Sequence, residues 1–365
     1  MENRDILIWL NSIQGIGDKT INRLNEYFKN LTELWYCSKN EIMELNYLNS
    51  KIKRKLIDFR NDSYYNDILT YSNENNIKII TILDEEYPSH LKNIYNPPKT
   101  LYLKGNYKLI YRPSISIVGS RKATYYGKWA AEKIAKELSC LGICIISGMA
   151  LGIDAIAHKG ALDEGGDTIA ILGSGIDKPY PRRNINIFEE ISSKGLVISE
   201  FPIGMEPRAG NFPLRNRVIS GLSKGVVIIE AREKSGSLIT AYHALEQGKE
   251  IFAVPGNINS IYSKGTNLLI KDGAKIVTNI EDILEEINEF KMLLDKNKDN
   301  KKNYDGLSDK ELLVIKSIEN GPIHCDMIAY NTDIDIVELN SILTILEMKN
   351  LITSMPGKVF TIKDY

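Results

Sequence analysis

Cysteine is scarce in this chain: four in 365 residues, at positions 37, 140, 144 and 325, with no spacing that would ligate a metal or staple a disulfide framework. Cys140 and Cys144 flank a helix-to-strand turn and read as packed thiols. Long apolar runs are missing too. Nothing approaches the roughly 20 residues of a membrane span, and the start Met1-Glu2-Asn3-Arg4-Asp5 has no apolar export core. A soluble protein of the reducing cytoplasm is predicted, with no membrane partner. No charge of one sign dominates. Forty-six basic and 47 acidic residues leave a net charge of -1, which argues against a wholesale nucleic-acid coat protein. A local basic cleft stays open, because the field of the cleft and not the total governs binding there. Also absent are a Gly-x-Gly-x-x-Gly fingerprint, a P-loop Lys-Ser/Thr, a convergent carboxylate pair and a metal-spaced His/Asp/Glu cluster. Nicotinamide cofactors are not expected, nor is any other cofactor or metal, and the chain reads as a binding protein, not an enzyme.

What is present is one phrase repeated from Ser114 to Asn279: a short apolar run, a Gly/Ser turn, then an amphipathic helix. The runs begin at Ile115, Ile143, Thr168, Leu196, Gly225 and Ile251. Such runs read as strands buried on both faces, and their alternation with helices predicts an α/β, doubly wound parallel sheet. Ligands bind outside the carboxyl ends of such strands, where small residues let backbone N–H groups approach an anion.

Five segments are predicted. Residues 1–70 form a helical domain around the turn Gly15-Ile16-Gly17, similar to a helix-hairpin-helix, although a plain turn between packed helices suits it as well. Residues 71–106 form a proline-bearing connector in which Ile77 to Leu83 suits a strand. The α/β domain spans 107–289 and a Lys/Asp/Asn-rich linker 290–305. Residues 306–365 have the order of a winged helix: a helix capped by Ser308 and Glu311, helices at 323–330 and 334–348, then a hairpin at Pro356-Gly357. The 334–348 helix carries Asp335, Glu338 and Glu347, a poor major-groove reader that points to a protein-contact or autoinhibitory role.

The turns carry the candidate chemistry. Gly119 and Ser120 free a backbone for anion approach beside Arg121, whose fork matches a phosphate. Ser147 and Gly148 end the next strand. Asp154 and His158 follow at a spacing that makes a local pair, not a hydrolytic triad with Ser147. Gly173 and Gly175 precede a Tyr180-Pro181 bend with Arg182, Arg183 and Asn184, where Tyr180 offers a face to a base or packs under its loop. Arg215, Asn216 and Arg217 concentrate donors at a helix start. Residues two apart point to different helix faces, so one of the arginines buttresses the fold. Ser235, Gly236 and Ser237 open another helix, with Thr240 one turn in.

In combination, Gly119-Ser120-Arg121, the Ser147 to His158 segment, Gly173-x-Gly175-x-Asp177-x-x-Tyr180-Pro181, Ser199-Glu200-x-Pro202, Phe212-Pro213-x-Arg215-Asn216-Arg217 and Ser235-Gly236-Ser237-Leu238-x-Thr240-Ala241 resemble the bacterial DNA-processing DprA/Smf family. The resemblance implies an extended Rossmann-like domain that binds single-stranded DNA, homodimerises and loads RecA recombinase onto incoming DNA in natural transformation. It places Arg121 and Arg182 on the DNA backbone and leaves open which of Arg215 and Arg217 faces DNA. The alternative readings are a nucleotide-binding sensor and a phosphoribohydrolase-like enzyme of the same fold. In the latter the position of the expected catalytic Glu holds His243.

Overall fold

The computed structural model describes residues 1–292, 306–319, 321–349 and 351–362, so the expected linker lies largely outside the described residues. They divide into two compact units, 1–294 and 295–365. The first is built on nine strands: β1 (Ile77–Thr81), β2 (Thr100–Gly105), β3 (Ser114–Val118), β4 (Cys144–Ser147), β5 (Thr168–Leu172), β6 (Leu196–Ser199), β7 (Gly225–Ile228), β8 (Glu250–Ala253) and β9 (Lys275–Ile276). Their order in the sheet is β1-β2-β6-β5-β4-β3-β7-β8-β9. Strands β3 to β9 run parallel, and the β1–β2 hairpin joins β6 antiparallel.

All six apolar runs are strands, and their alternation sorts two cores. Ile115, Ile117, Ile145 and Val227 pack on one face with helices Tyr125–Cys140 and Ile153–Asp163. Val118, Ile146, Ile171 and Ile228 pack on the other with helices Asn211–Leu222 and Gly236–Glu246. Neither face of these strands meets water, which is why the runs are continuously apolar instead of alternating.

Two segments differ from the sequence reading. Residues 71–106 are not only a connector: besides the strand expected at Ile77, seen as β1, they hold β2, which buries Tyr102 completely, its hydroxyl donating to Asn11 Oδ1 at 3.0 Å. The N-terminal helices likewise do not keep a core of their own. Ile6, Trp9 and Leu10 share one with Tyr102, Leu172 and Val197 of the sheet.

Arg217 fastens this packing. Only 6% exposed, it donates to Glu200 at 3.0 and 2.6 Å and to Asp18 at 3.0 Å, the latter at the start of helix Asp18–Phe28. One cation thus holds two carboxylates, one from the N-terminal helices and one following β6. Burial raises both acids, Glu200 to about 7, against the pull of Arg217.

In the second unit, helices Asp309–Ile318, Cys325–Thr332 and Ile336–Met348 enclose Val314, Ile328, Leu339 and Leu343, with strands Ile323–His324, Ile352–Met355 and Val359–Ile362 as a small sheet. The expected 323–330 helix begins two residues late, because Ile323 and His324 pair with Phe360 and Val359 before the His324 ring caps the helix through Asp326 N.

Arg217→Ala leaves two buried carboxylates without their cation and is expected to lower stability by about 3–5 kcal/mol in urea unfolding. The Glu200 pKa in the folded state lies above its ordinary 4.5, so its contribution is fully present below pH 4.5 and is lost as pH rises through about 7. Glu200→Gln is therefore expected to flatten stability against pH in that window.

Candidate nucleic-acid interface

From β3 the chain adds β4, β5 and β6 on one side, then returns to add β7, β8 and β9 on the other. Loops leaving the two strands at such a reversal diverge to opposite faces and open a crevice at the carboxyl edge. Here the crevice is a cleft of about 640 Å³. Gly119, Ser120, Arg121 and Lys122 enter it from the end of β3. Arg232, Lys234, Ser235, Gly236 and Ser237 enter from the end of β7, and Phe212, Arg215 and Asn216 from the helix between them in sequence. Five basic side chains (Arg121, Lys122, Arg215, Arg232 and Lys234) face one carboxyl, Asp154, among the lining residues.

The donors are held in place before any ligand arrives. Arg215, 3% exposed, forms the floor: Nη1 donates to the carbonyls of Gly148 (2.7 Å) and Ile171, and Nε to Asn216 Oδ1 at 3.3 Å, while Nη2 has no hydrogen-bond partner among the described residues. Burial lowers its pKa to about 10, so it keeps its charge at neutral pH. Burial also raises the Asp154 carboxyl, opposed by Arg215. Ser235 caps helix Gly236–Glu246 by accepting from Ser237 N, and the hydroxyls of Ser235 and Ser237 meet at 2.7 Å. Thr240 is buried beneath them and lines the same wall.

The rim is aromatic. The Arg121 guanidinium lies 5.5 Å from the centre of the Phe212 ring, and Phe212 meets Tyr180 at 5.7 Å with the rings tilted by 42°. Tyr180 is 46% exposed, so it does not pack away under its loop. It also borders a neighbouring shallower cleft that Arg182 lines. Tyr180 thus joins two openings, with Arg121 on one side and Arg182 on the other.

Several sequence-derived site residues are placed elsewhere. Arg217 turns toward the N-terminal helices, as described above. Ser147 is buried and donates to the Ile117 carbonyl at 2.6 Å; Asn184 is buried and donates to Met149 and Ala150 carbonyls. Gly148 and Gly173 present no amide to the cleft. They supply room, since a Cβ would meet Arg215 Nη2 at 2.5 Å or the Phe212 ring at 2.6 Å. Gly175 packs against the Pro202 carbonyl instead of lining the cleft. No hydrolytic triad forms: His158 Nδ1 lies 2.7 Å from Thr168 Oγ1, and burial with Arg215 nearby pushes its pKa down to about 3. Phe212, Lys122, Arg232 and Lys234 were not singled out from sequence. The signal for the last two was there, in basic residues between the end of β7 and the Ser-Gly-Ser helix start.

A family model for DNA recombination-mediator protein A matches residues 78–288, more than half the chain, and one for the DprA winged helix domain matches 299–358. The chain belongs to the DprA family. It is 43% identical over 223 residues to the DNA processing protein DprA of Bacillus subtilis, covering 61% of this chain and 75% of that protein. Protein Smf of Synechocystis is 36% identical over 301 residues, covering 80% and 75%. Among solved structures, DprA of Streptococcus pneumoniae superposes with a TM-score of 0.68 at 34% identity, covering 79% of this chain and all but 1% of the other. DNA processing protein A of Helicobacter pylori, described for its single-stranded DNA binding mode, gives 0.53 at 35% identity, covering 60% and 97%.

In this DprA chain the Arg121 loop rests on Gly152, whose φ is +81° and whose Cβ would sit 2.3 Å from the Ser120 carbonyl oxygen. Gly165 has a similar φ of +66° with open space around it. Gly152→Ala is expected to cost more stability in urea unfolding than Gly165→Ala, which should lose about 1–2 kcal/mol. Equal losses would mean that the loop yields freely.

Proposed function

We propose that the protein binds single-stranded DNA in the cleft between the ends of β3 and β7, without cutting it, and loads RecA recombinase onto that strand in DNA uptake and recombination. The observation that carries the reading is the five-to-one excess of basic over acidic side chains in a cleft rimmed by exposed Tyr180 and half-buried Phe212. Cations take phosphates whatever the sequence, and rings stack on unpaired bases. Within this reading Gly119, Ser120, Arg121, Asn216, Ser235, Gly236, Ser237 and Thr240 line the DNA seat, Arg215 is its floor, and Tyr180 with Arg182 extends it. The recombinase step is supported by membership in a family of recombination mediators.

The protein acts as a homodimer through the Rossmann-like domain. Supporting this, β9 leaves one sheet edge unpaired, and Leu245, Leu268 and Ile276 are exposed on elements at that end. Ile276→Arg is expected to turn a dimer into a monomer in sedimentation equilibrium. The winged unit contacts protein: its helix Ile336–Met348 presents Glu338 and Glu347, and Lys310 is already paired with Glu338 at 2.5 Å. Among the described residues no helix is long and apolar enough to cross a membrane.

The test is a titration with single-stranded and duplex oligonucleotides over a range of salt. Single strands are expected to bind more tightly, with a log–log salt slope of about -2 for three neutralised phosphates. Arg121→Glu should weaken all sequences alike. A site that saturates with one mononucleotide and gains nothing from strand length belongs to a nucleotide sensor, and release of free base from a nucleotide to a phosphoribohydrolase-like enzyme.

A further inference from the structure

Helix Tyr125–Cys140 buries Ala130, Ala131, Ile134 and Leu138 and turns a different kind of surface outward. At its first two turns Tyr125 is 92% exposed and Trp129, four residues on, 57% exposed. Residues four apart stand one above the other on a helix. Tyr126 lies beside Trp129, with ring centres 6.1 Å apart and planes 30° from parallel. Lys128 reaches over the Tyr125 ring and Lys133 over the Trp129 ring, each at 5.5 Å. Three exposed rings interleaved with ammonium groups are costly to leave in water and are not needed by the core beneath them.

Three observations fix what suits this surface. First, it continues the cleft. Arg121 and Tyr125 are four residues apart, so their Cα atoms are within about 14 Å. Second, it lies along the same edge of the sheet: Tyr126 Oη donates to the Pro255 carbonyl beyond β8 at 2.9 Å, and Thr124 anchors the helix start to Glu230 beyond β7 at 2.5 and 3.0 Å. Third, its charge is of one sign where it meets the cleft. Lys122 and Lys128 have no ion pair among the described residues, whereas from the second turn onward Lys136 pairs with Glu132 and Lys133 has Glu137 at 3.7 Å. The unmatched positive charge therefore stops where the exposed rings stop.

We infer that Tyr125 and Trp129 form a second base-stacking platform, which takes the unpaired strand as it leaves the cleft. This rests on the single-stranded DNA reading and extends it by a site on a different helix. From β5, which leads to Tyr180, to β8 is four strand intervals, or about 19 Å across the sheet. The rim then reads as one track: Arg182 and Tyr180, Phe212 and Arg121, Tyr125 and Trp129. A protein partner would find less here, because a docking face of this size is ordinarily apolar at its centre and poor in lysine.

Tryptophan emission tests this directly. The chain has three tryptophans; Trp9 is fully buried and packs edge-on against Trp35 in the N-terminal helices, leaving Trp129 as the reporter on the rim. Adding oligo-dT of 20 nucleotides to the full chain is expected to quench the emission, and Trp129→Phe to abolish the quench. Affinity for the 20-mer should fall roughly tenfold or more in the Tyr125→Ala/Trp129→Ala variant, with a smaller loss for a 6-mer. Both positions are exposed, so an unchanged melting temperature is the control for folding. If the 20-mer binds and Arg121→Glu weakens it, yet emission and the double variant's affinity stay at wild-type values, the platform is refuted and the cleft stands. If no single strand binds at all, both fall.

Discussion

The reversal of strand order at β3 is the constraint from which the rest of the molecule follows. Because β4 and β7 flank β3 on opposite sides, the loops after β3 and β7 part company and leave a gap that neither helix layer fills. Most of the candidate phosphate-binding turns converge on this gap. The Gly119–Arg121 loop comes from one wall, the Ser235–Ser237 helix start from the other, and Arg215 rises through the floor from a helix that crosses beneath. The donors outnumber the acceptors, and the one carboxyl present sits close enough to Arg215 to feel its charge. Such a site offers fixed positive charge to an anion.

Rigidity around the gap comes from side chains that never touch it. Arg217, two residues from Arg215 on the same helix, is spent on Asp18 and Glu200. That pairing ties the N-terminal helices to the segment after β6 and so fixes the helix that carries Phe212 and Arg215. Alternate residues on one helix thus divide the work, one facing the cleft and one locking the scaffold. The glycines do similar service. Gly148 and Gly173 make room for the guanidinium and the ring that their neighbours must place, and the ring in turn supports Arg121 and Tyr180.

How much of this was legible in the sequence depended on range. The six core strands were plain, because burial on both faces writes each as an unbroken apolar run. β2 was hidden: it follows Pro97-Pro98 and carries Thr100, Tyr102 and Lys104, and its reason to be a strand is the distant partner β6. The cleft's loops could be named from their Gly/Ser/Arg content, but not which members face inward. Arg217 looks like a phosphate ligand until Asp18, 199 residues away, is placed beside it. Gly148 and Gly173 belong to the candidate phosphate turns on sequence grounds, because a sequence does not reveal which side chain a missing Cβ admits. Phe212 stood in plain view within its motif, yet only the fold brings it to Tyr180 and Arg121.

The most direct measurement is photo-crosslinking of the full chain to a single strand carrying 5-bromouracil, with the adducts mapped by mass spectrometry. If the switch-point cleft holds the strand, adducts fall on Tyr180 and Phe212 and the peptides around them. Adducts confined to the N-terminal helices or to residues 306–362, with the cleft peptides unmodified, would contradict it.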